Sequence, residues 1–207
     1  MGMSKNKKIA LVASTLTMTL AASLLASTPA SAAPTAPEPT IPANVALKMK
    51  DVRKLGIDTK FDLGVTTYGT VTFGGQYCDT TDDGATGLEP LPYLGRWWSW
   101  YDADNDLDVS VDHVITTWDD VAGALSDVQN DTGHCRVFPG DTYTVVAADD
   151  DEWAAQFAKS AVALQVVDSS IVAITVYDWN DRIDEMAEAQ RLLDVAVKTA
   201  ARSKQLP

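Results

Sequence analysis

The stretch AVALQVVDSSIVAITVY, residues 161–177, decides the fold. Two apolar runs, Ala161–Val167 and Ile171–Tyr177, flank the polar triplet Asp168-Ser169-Ser170. Two such runs separated by a short polar turn predict a β-hairpin. Beyond it, Asn180-Asp181 supplies a helix cap, and a long helix is expected to run to about Arg202. Its inner stripe is Ile183, Met186, Ala187, Gln190, Leu193, Val197 and Ala200, at helical spacing. Asp184 and Glu185 sit at its positive end, and Lys198, Arg202 and Lys204 at its negative end. Hairpin and helix together imply an α+β fold, an antiparallel sheet with helices packed on one face.

Working back from the hairpin, Thr142–Ala147 reads as a strand leading into an acidic turn, Asp149–Glu152. A helix is expected from Thr117, with Asp120 in its first turn. Trp118, Val121, Ala122, Leu125 and Val128 form its face, and Gly133 closes it before Cys135. Leu107, Val109, Val111 and His113 alternate with Asp108, Ser110 and Asp112, the pattern of a half-buried strand. Arg96–Tyr101 is a dense aromatic strand, and Thr80–Pro92 a polar loop. From Phe61 to Cys78 the texture is β, with Val65, Tyr68, Val71 and Phe73 among threonines and Gly74-Gly75 as punctuation. Asn44 caps a helix expected through about Lys54, with Val45, Leu47, Met49, Val52 and Leu55 apolar and Gly56 just past its end.

The N-terminus has the three parts of a secretory signal. Lys5, Lys7 and Lys8 precede an apolar run from Ile9 to Leu25, and Ala30-Ser31-Ala32 follows. Ser14, Thr15, Thr17, Thr19 and Ser23 dilute the run, which makes it a poor permanent anchor. Cleavage after Ala32 is expected, leaving a secreted protein. Residues 33–42, with four prolines, form an extended tether, and residues 43–204 a single domain. The chain carries 16 basic and 29 acidic residues, a net charge of −13. The leader holds three lysines and no acid, so its loss deepens that charge to −16. Such a balance repels nucleic acid and anionic membrane surfaces. No second apolar run is long enough to span a bilayer.

Cys78 and Cys135 are the only cysteines, and an oxidising compartment favours their pairing. The stretch Thr117-Trp118-Asp119-Asp120-Val121 through His134-Cys135, then Val162–Tyr177 with the closing helix, resembles the extracellular sensor domain of actinobacterial PknH-type receptor kinases. That resemblance implies a cleft-bearing sheet that binds a small ligand or envelope component outside the cell. It supplies no catalytic residues. No kinase sequence is present, so a signalling role implies a protein partner.

The residues suggest three kinds of site. Trp98 and Trp100 should face one way along their strand, and Trp97 and Tyr101 the other. One pair could line an apolar or sugar-stacking groove, and the alternative is core packing. Asp102, Asp104, Asp106 and Asp108 recur at every second position, a spacing with some likeness to a calcium loop. The sixth and twelfth places hold Leu107 and His113 rather than Gly and Glu, so a strand's solvated edge explains the repeat as well. His113 and His134 are the only histidines, and no nucleophile motif, zinc motif or phosphate loop accompanies them. Paired carboxylates leave no local signature, so a secreted hydrolase stands as an alternative. An acidic protein-interaction module is a third reading. The expectation is a non-enzymatic, sensor-like binding domain without a cofactor.

Overall fold

The computed structural model describes residues 40–66, 70–79, 93–102, 109–203 and Leu206. The described residues form ten strands: β1 (Thr59–Thr66), β2 (Thr70–Phe73), β3 (Gln76–Asp79), β4 (Tyr93–Tyr101), β5 (Val109–Trp118), β6 (Cys135–Val137), β7 (Tyr143–Ala148), β8 (Glu152–Phe157), β9 (Ser160–Val167) and β10 (Ser170–Asp178). The helices are α1 (Met49–Val52), α2 (Val121–Asn130) and α3 (Glu185–Ser203). Seven strands form one antiparallel sheet in the order β1-β4-β5-β10-β9-β8-β7. A second sheet has the order β2-β3-β6. The fold is α+β, as expected, with the long helix packed on the large sheet.

Each face of the large sheet has its own apolar cluster. Odd-numbered β5 residues Val109, Val111 and Ile115 join Val172, Ile174 and Val176 of β10 beneath Ala189, Leu192 and Ala196 of α3. On the opposite face, Val114, Ala173, Leu164 and Trp153 pack with Leu125 and Val128 of α2 and with Val71, Phe73 and the disulfide of the small sheet. The near-continuous apolar runs of β9 and β10 follow from this, because central strands covered on both sides need no polar alternation.

The hairpin of β9 and β10 turns at Asp168-Ser169, with Val167 opposite Ser170. Asp168 adopts φ +55°, a left-handed conformation that Asp tolerates well. The long helix begins later than its expected Asn180-Asp181 cap. Asp184 is the cap, its Oδ1 accepting the Ala187 N–H at 2.9 Å. The delay comes from Asp178. This buried carboxylate accepts the backbone N–H groups of Asn180 (2.9 Å), Ile183 (2.8 Å) and Arg182, holding 179–183 as a separate turn. Of the expected stripe, Leu193 and Ala200 are buried and Ile183, Met186 and Val197 pack against the core, whereas Ala187 and Gln190 are exposed and Ala189, Leu192 and Ala196 take the buried positions.

Burial alone would raise the Asp178 pKa, yet the three backbone donors and Arg182 hold it below the usual carboxylate value. Its stabilising contribution is therefore present above pH ~3.8 and is lost as pH falls through the lower native value. Asp178→Asn offers a single acceptor oxygen to three donors and is expected to lower stability by about 1–3 kcal/mol, read from urea denaturation at neutral pH.

The other helices also depart from expectation. β5 continues to Trp118, so Asp120, not Thr117, caps α2, accepting the Gly123 N–H at 2.9 Å. The expected helix over 44–54 is broken into a turn at Ala43–Val45, then α1, then a turn at Arg53–Leu55. Between the first two pieces the chain dips into the core, where the Leu47 N–H donates to His113 Nδ1 at 3.3 Å. Gly56 ends the segment at φ +82°, the left-handed position expected of it.

Candidate functional site

The aromatic strand divides its residues as its alternation requires. Trp98 and Trp100 point toward α3 and are completely buried, with His113 between β4 and β10 on the same face. The His113 ring lies 5.1 Å from Trp98 and 6.3 Å from Trp100. Arg96 covers Trp98 and Lys60 covers Trp100, each with its charge 5.3 Å from the indole. Arg96 also binds both oxygens of Asp62, at 2.7 and 3.3 Å, and donates to the Ile41 carbonyl at 2.8 Å. Trp98 and Trp100 are thus core pillars and form no groove wall. Trp97 and Tyr101 are half-buried on the other face, where Trp97 packs against the second cluster.

Burial, with a smaller contribution from Lys60, pushes the His113 pKa down to about 3. The folded protein therefore keeps the imidazole neutral where the unfolded chain would protonate it. Stability from this residue is complete above pH ~6.5 and declines toward pH 3, by up to about 1.4 kcal/mol per pH unit. Urea midpoints measured from pH 7 to pH 4 should fall less steeply in His113→Gln than in the parent. An unchanged slope would show that the imidazole is not held neutral.

The candidate site lies on the face opposite the tryptophan pillars, where the sheet changes character within one step of register. The cross-strand row Trp97–Val114–Ala173–Leu164–Trp153 is apolar and belongs to the second core. Two residues along each strand, the next row on that face is Phe61–Ser99–Asp112–Thr175–Val162–Ala155, polar only in β4, β5 and β10. The row after it is Tyr101–Ser110–Tyr177–Ser160. Over β4, β5, β10 and β9 these rows present six hydroxyls around one carboxyl, with Thr175 and Ser160 buried and the others half-buried.

Loss of hydration raises the Asp112 pKa, against the opposing influence of Ser99 and the Trp97 indole. The Trp97 Nε1 does not meet hydrogen-bond geometry with any acceptor, but its N–H lies close enough to favour the carboxylate. Burial, reinforced by the Asp112 charge, also raises the Tyr177 pKa, so the phenol stays protonated and can donate. A raised carboxyl among donors, partly open on a sheet face, is the arrangement expected where a ligand replaces water.

Tyr177 and Ser160 connect these rows to a cleft of about 360 Å³. Its other walls include Phe138, Asp141, Lys159 and Trp179. Trp179 is 58% exposed, the largest value among the exposed large apolar side chains described. The Lys159 ammonium is held at the rim by both Asp181 oxygens, at 2.9 Å each. Gly75 forms part of the wall, and its lack of a side chain lets the Phe157 ring lie against the backbone there.

Comparison with known proteins adds a likeness of structure. The chain is similar to the extracellular domain of PknH from Mycobacterium tuberculosis, with 12% identity, 74% of this chain and 93% of that chain covered, and a TM-score of 0.42. No family and no curated protein matches.

Of the acidic repeat, Asp102 is half-buried at the end of β4, and Asp104, Asp106 and Asp108 lie outside the described residues. No three His, Cys, Asp or Glu side chains converge as a metal site among the described residues. No helix among them is long and apolar enough to cross a membrane. Cys78 and Cys135 form the expected disulfide, directly opposite one another on β3 and β6. The sequence pattern placed Asp112 and Ser110 on one side of a strand, but that side read as solvent. Tyr177 and Trp179 carry no signal of a site in the sequence, since an aromatic at the end of an apolar run looks like core.

Proposed function

We propose that this chain is an exported, non-enzymatic, sensor-like domain that binds a small, uncharged, hydroxyl-rich ligand across the polar rows and into the adjoining cleft. The observation that carries the reading is the abrupt change from apolar to hydroxyl-bearing rows on one sheet face, opening beside an exposed tryptophan. Hydroxyls that both donate and accept match a polyol or sugar, and an indole offers the flat apolar surface on which a sugar ring stacks. The signal-like leader supports export.

The test is a titration with mono- and oligosaccharides of the cell envelope, followed by tryptophan fluorescence and calorimetry. A bound sugar should lose at least tenfold in affinity in Trp179→Ala and in Asp112→Ala. No response from the parent, or affinity that survives both substitutions, overturns the reading. Mass spectrometry of the sugar after incubation checks the absence of turnover, and a cleaved product would replace binding with hydrolysis.

A further inference from the structure

We propose that a second cleft, remote in sequence from the polar rows and independent of them, binds a phosphate-bearing anion. It has a volume of about 240 Å³ and lies between the residue 46–51 segment and the last turns of α3. Lys48 and Lys50 stand on one wall, and Lys198 and Arg202, one helical turn apart, stand on the other. Asp51 is the only acid among the lining residues. Outside the leader the chain has 13 basic residues against 29 acids, so the convergence of four cations on one small cleft runs against the composition of the whole protein.

Existing partners do not account for this convergence. Asp51 uses Oδ2 to accept the Lys48 backbone N–H at 2.9 Å, which ties that carboxylate to the turn. Lys198 lies 3.6 Å from Asp194 in an exposed i,i+4 pair, an arrangement worth only tenths of a kcal/mol. Lys50 and Arg202 have no ion-pair partner among the described residues. The negative end of the α3 dipole explains a cation at Arg202 and, less strongly, at Lys198. It does not explain Lys48 and Lys50, which reach the same cleft from a segment about 150 residues earlier.

Water screens the mutual repulsion of these exposed cations, and a multivalent anion seated between them would be attracted by all four at once. A group with two or more negative charges and several acceptor oxygens satisfies both the charge and the donors, and Arg202 suits phosphate in particular through its planar fork. The buried Ala46 supplies a small floor, and the Thr199 hydroxyl is occupied by the Val195 carbonyl at 2.8 Å. Recognition therefore rests on the four cations. The same chemistry is offered by a soluble phosphate compound and by a phospholipid headgroup.

Sodium pyrophosphate and vesicles of phosphatidylcholine with phosphatidylglycerol distinguish those sources. In calorimetry at low salt, pyrophosphate should bind at one saturable site. Raising salt to about 0.15 M, where the screening length is ~8 Å, should weaken it severalfold. The double variants Lys198→Gln/Arg202→Gln and Lys48→Gln/Lys50→Gln should each bind at least tenfold less tightly, while Lys159→Gln in the other cleft leaves affinity unchanged. All four side chains are exposed, and circular dichroism confirms folding of both variants, each of which tests the cleft from its own wall. Co-sedimentation with the vesicles, lost in the same doubles but without pyrophosphate binding, assigns the site to a headgroup. Binding of neither probe, or binding indifferent to both doubles, overturns the proposal. Sugar affinity in the other site does not enter this result, so the two readings fail separately.

Discussion

Trp100→Ala lowers stability by about 3–5 kcal/mol, and Trp98→Ala by a similar amount, a large share of the ~5–15 kcal/mol that holds a typical domain together. Both side chains are completely buried, and they brace the N-terminal segment, β4 and β5 against α3. Truncation leaves a void that neither His113 nor the overlying Lys60 and Arg96 can fill without losing their own contacts. Phenylalanine gives a contrasting result. Trp100 Nε1 is buried without a hydrogen-bond partner among the described residues, so Trp100→Phe removes an unsatisfied donor along with part of the ring. Its cost should be well below that of alanine. Chemical denaturation of the three variants checks the order. A loss under about 1 kcal/mol for Trp100→Ala would contradict the core role assigned to it.

The second large effect belongs to the disulfide. Cys78 and Cys135 close a loop of 57 residues that contains β4, β5 and α2. The chain-entropy relation gives about 4 kcal/mol for a loop of that length, and Cys78→Ala/Cys135→Ala is expected to lose up to that amount. The loss should be uneven. β3 and β6 pair over three residue positions, and both half-cystines are buried in the second core beside Val71, Phe73 and Val128. Amide exchange should therefore rise first in β2, β3 and β6, while β9 and β10, central and covered on both faces, keep their protection. Uniform loss across both sheets would show that the small sheet is not a separable layer.

The elements most legible in the sequence were those whose pattern depends on local physics alone. The β9–β10 hairpin, the left-handed Gly56 and the amphipathic α3 follow from apolar runs, turn residues and helical period. The misses have tertiary causes. Trp153-Ala-Ala-Gln-Phe157 lacks both alternation and β-branched residues, yet becomes β8 because β7 and β9 flank it. The N-terminal helix breaks because a ring nitrogen 66 residues away captures the Leu47 N–H. In the site, alternation shows that Ser110 and Asp112 share a side with each other, but not that Ser99, Thr175 and Tyr177 join them from neighbouring strands. That juxtaposition depends on strand order, which a period of two does not contain. The tryptophan strand shows the same limit: parity sorted Trp98 and Trp100 from Trp97 and Tyr101, while only the packing of α3 determined which pair became core.

The N-terminal segment has a mechanical consequence. Its first described residues are fastened by the Ile41 carbonyl to Arg96 and by the Leu47 amide to His113, and both anchors lie within the tryptophan column. A pull on Thr40 is therefore delivered to the middle of the molecule and not to a peripheral strand. Tension applied at Thr40 would have to release the Ile41 carbonyl from Arg96 and the Leu47 amide from His113 before it parted the strands behind them.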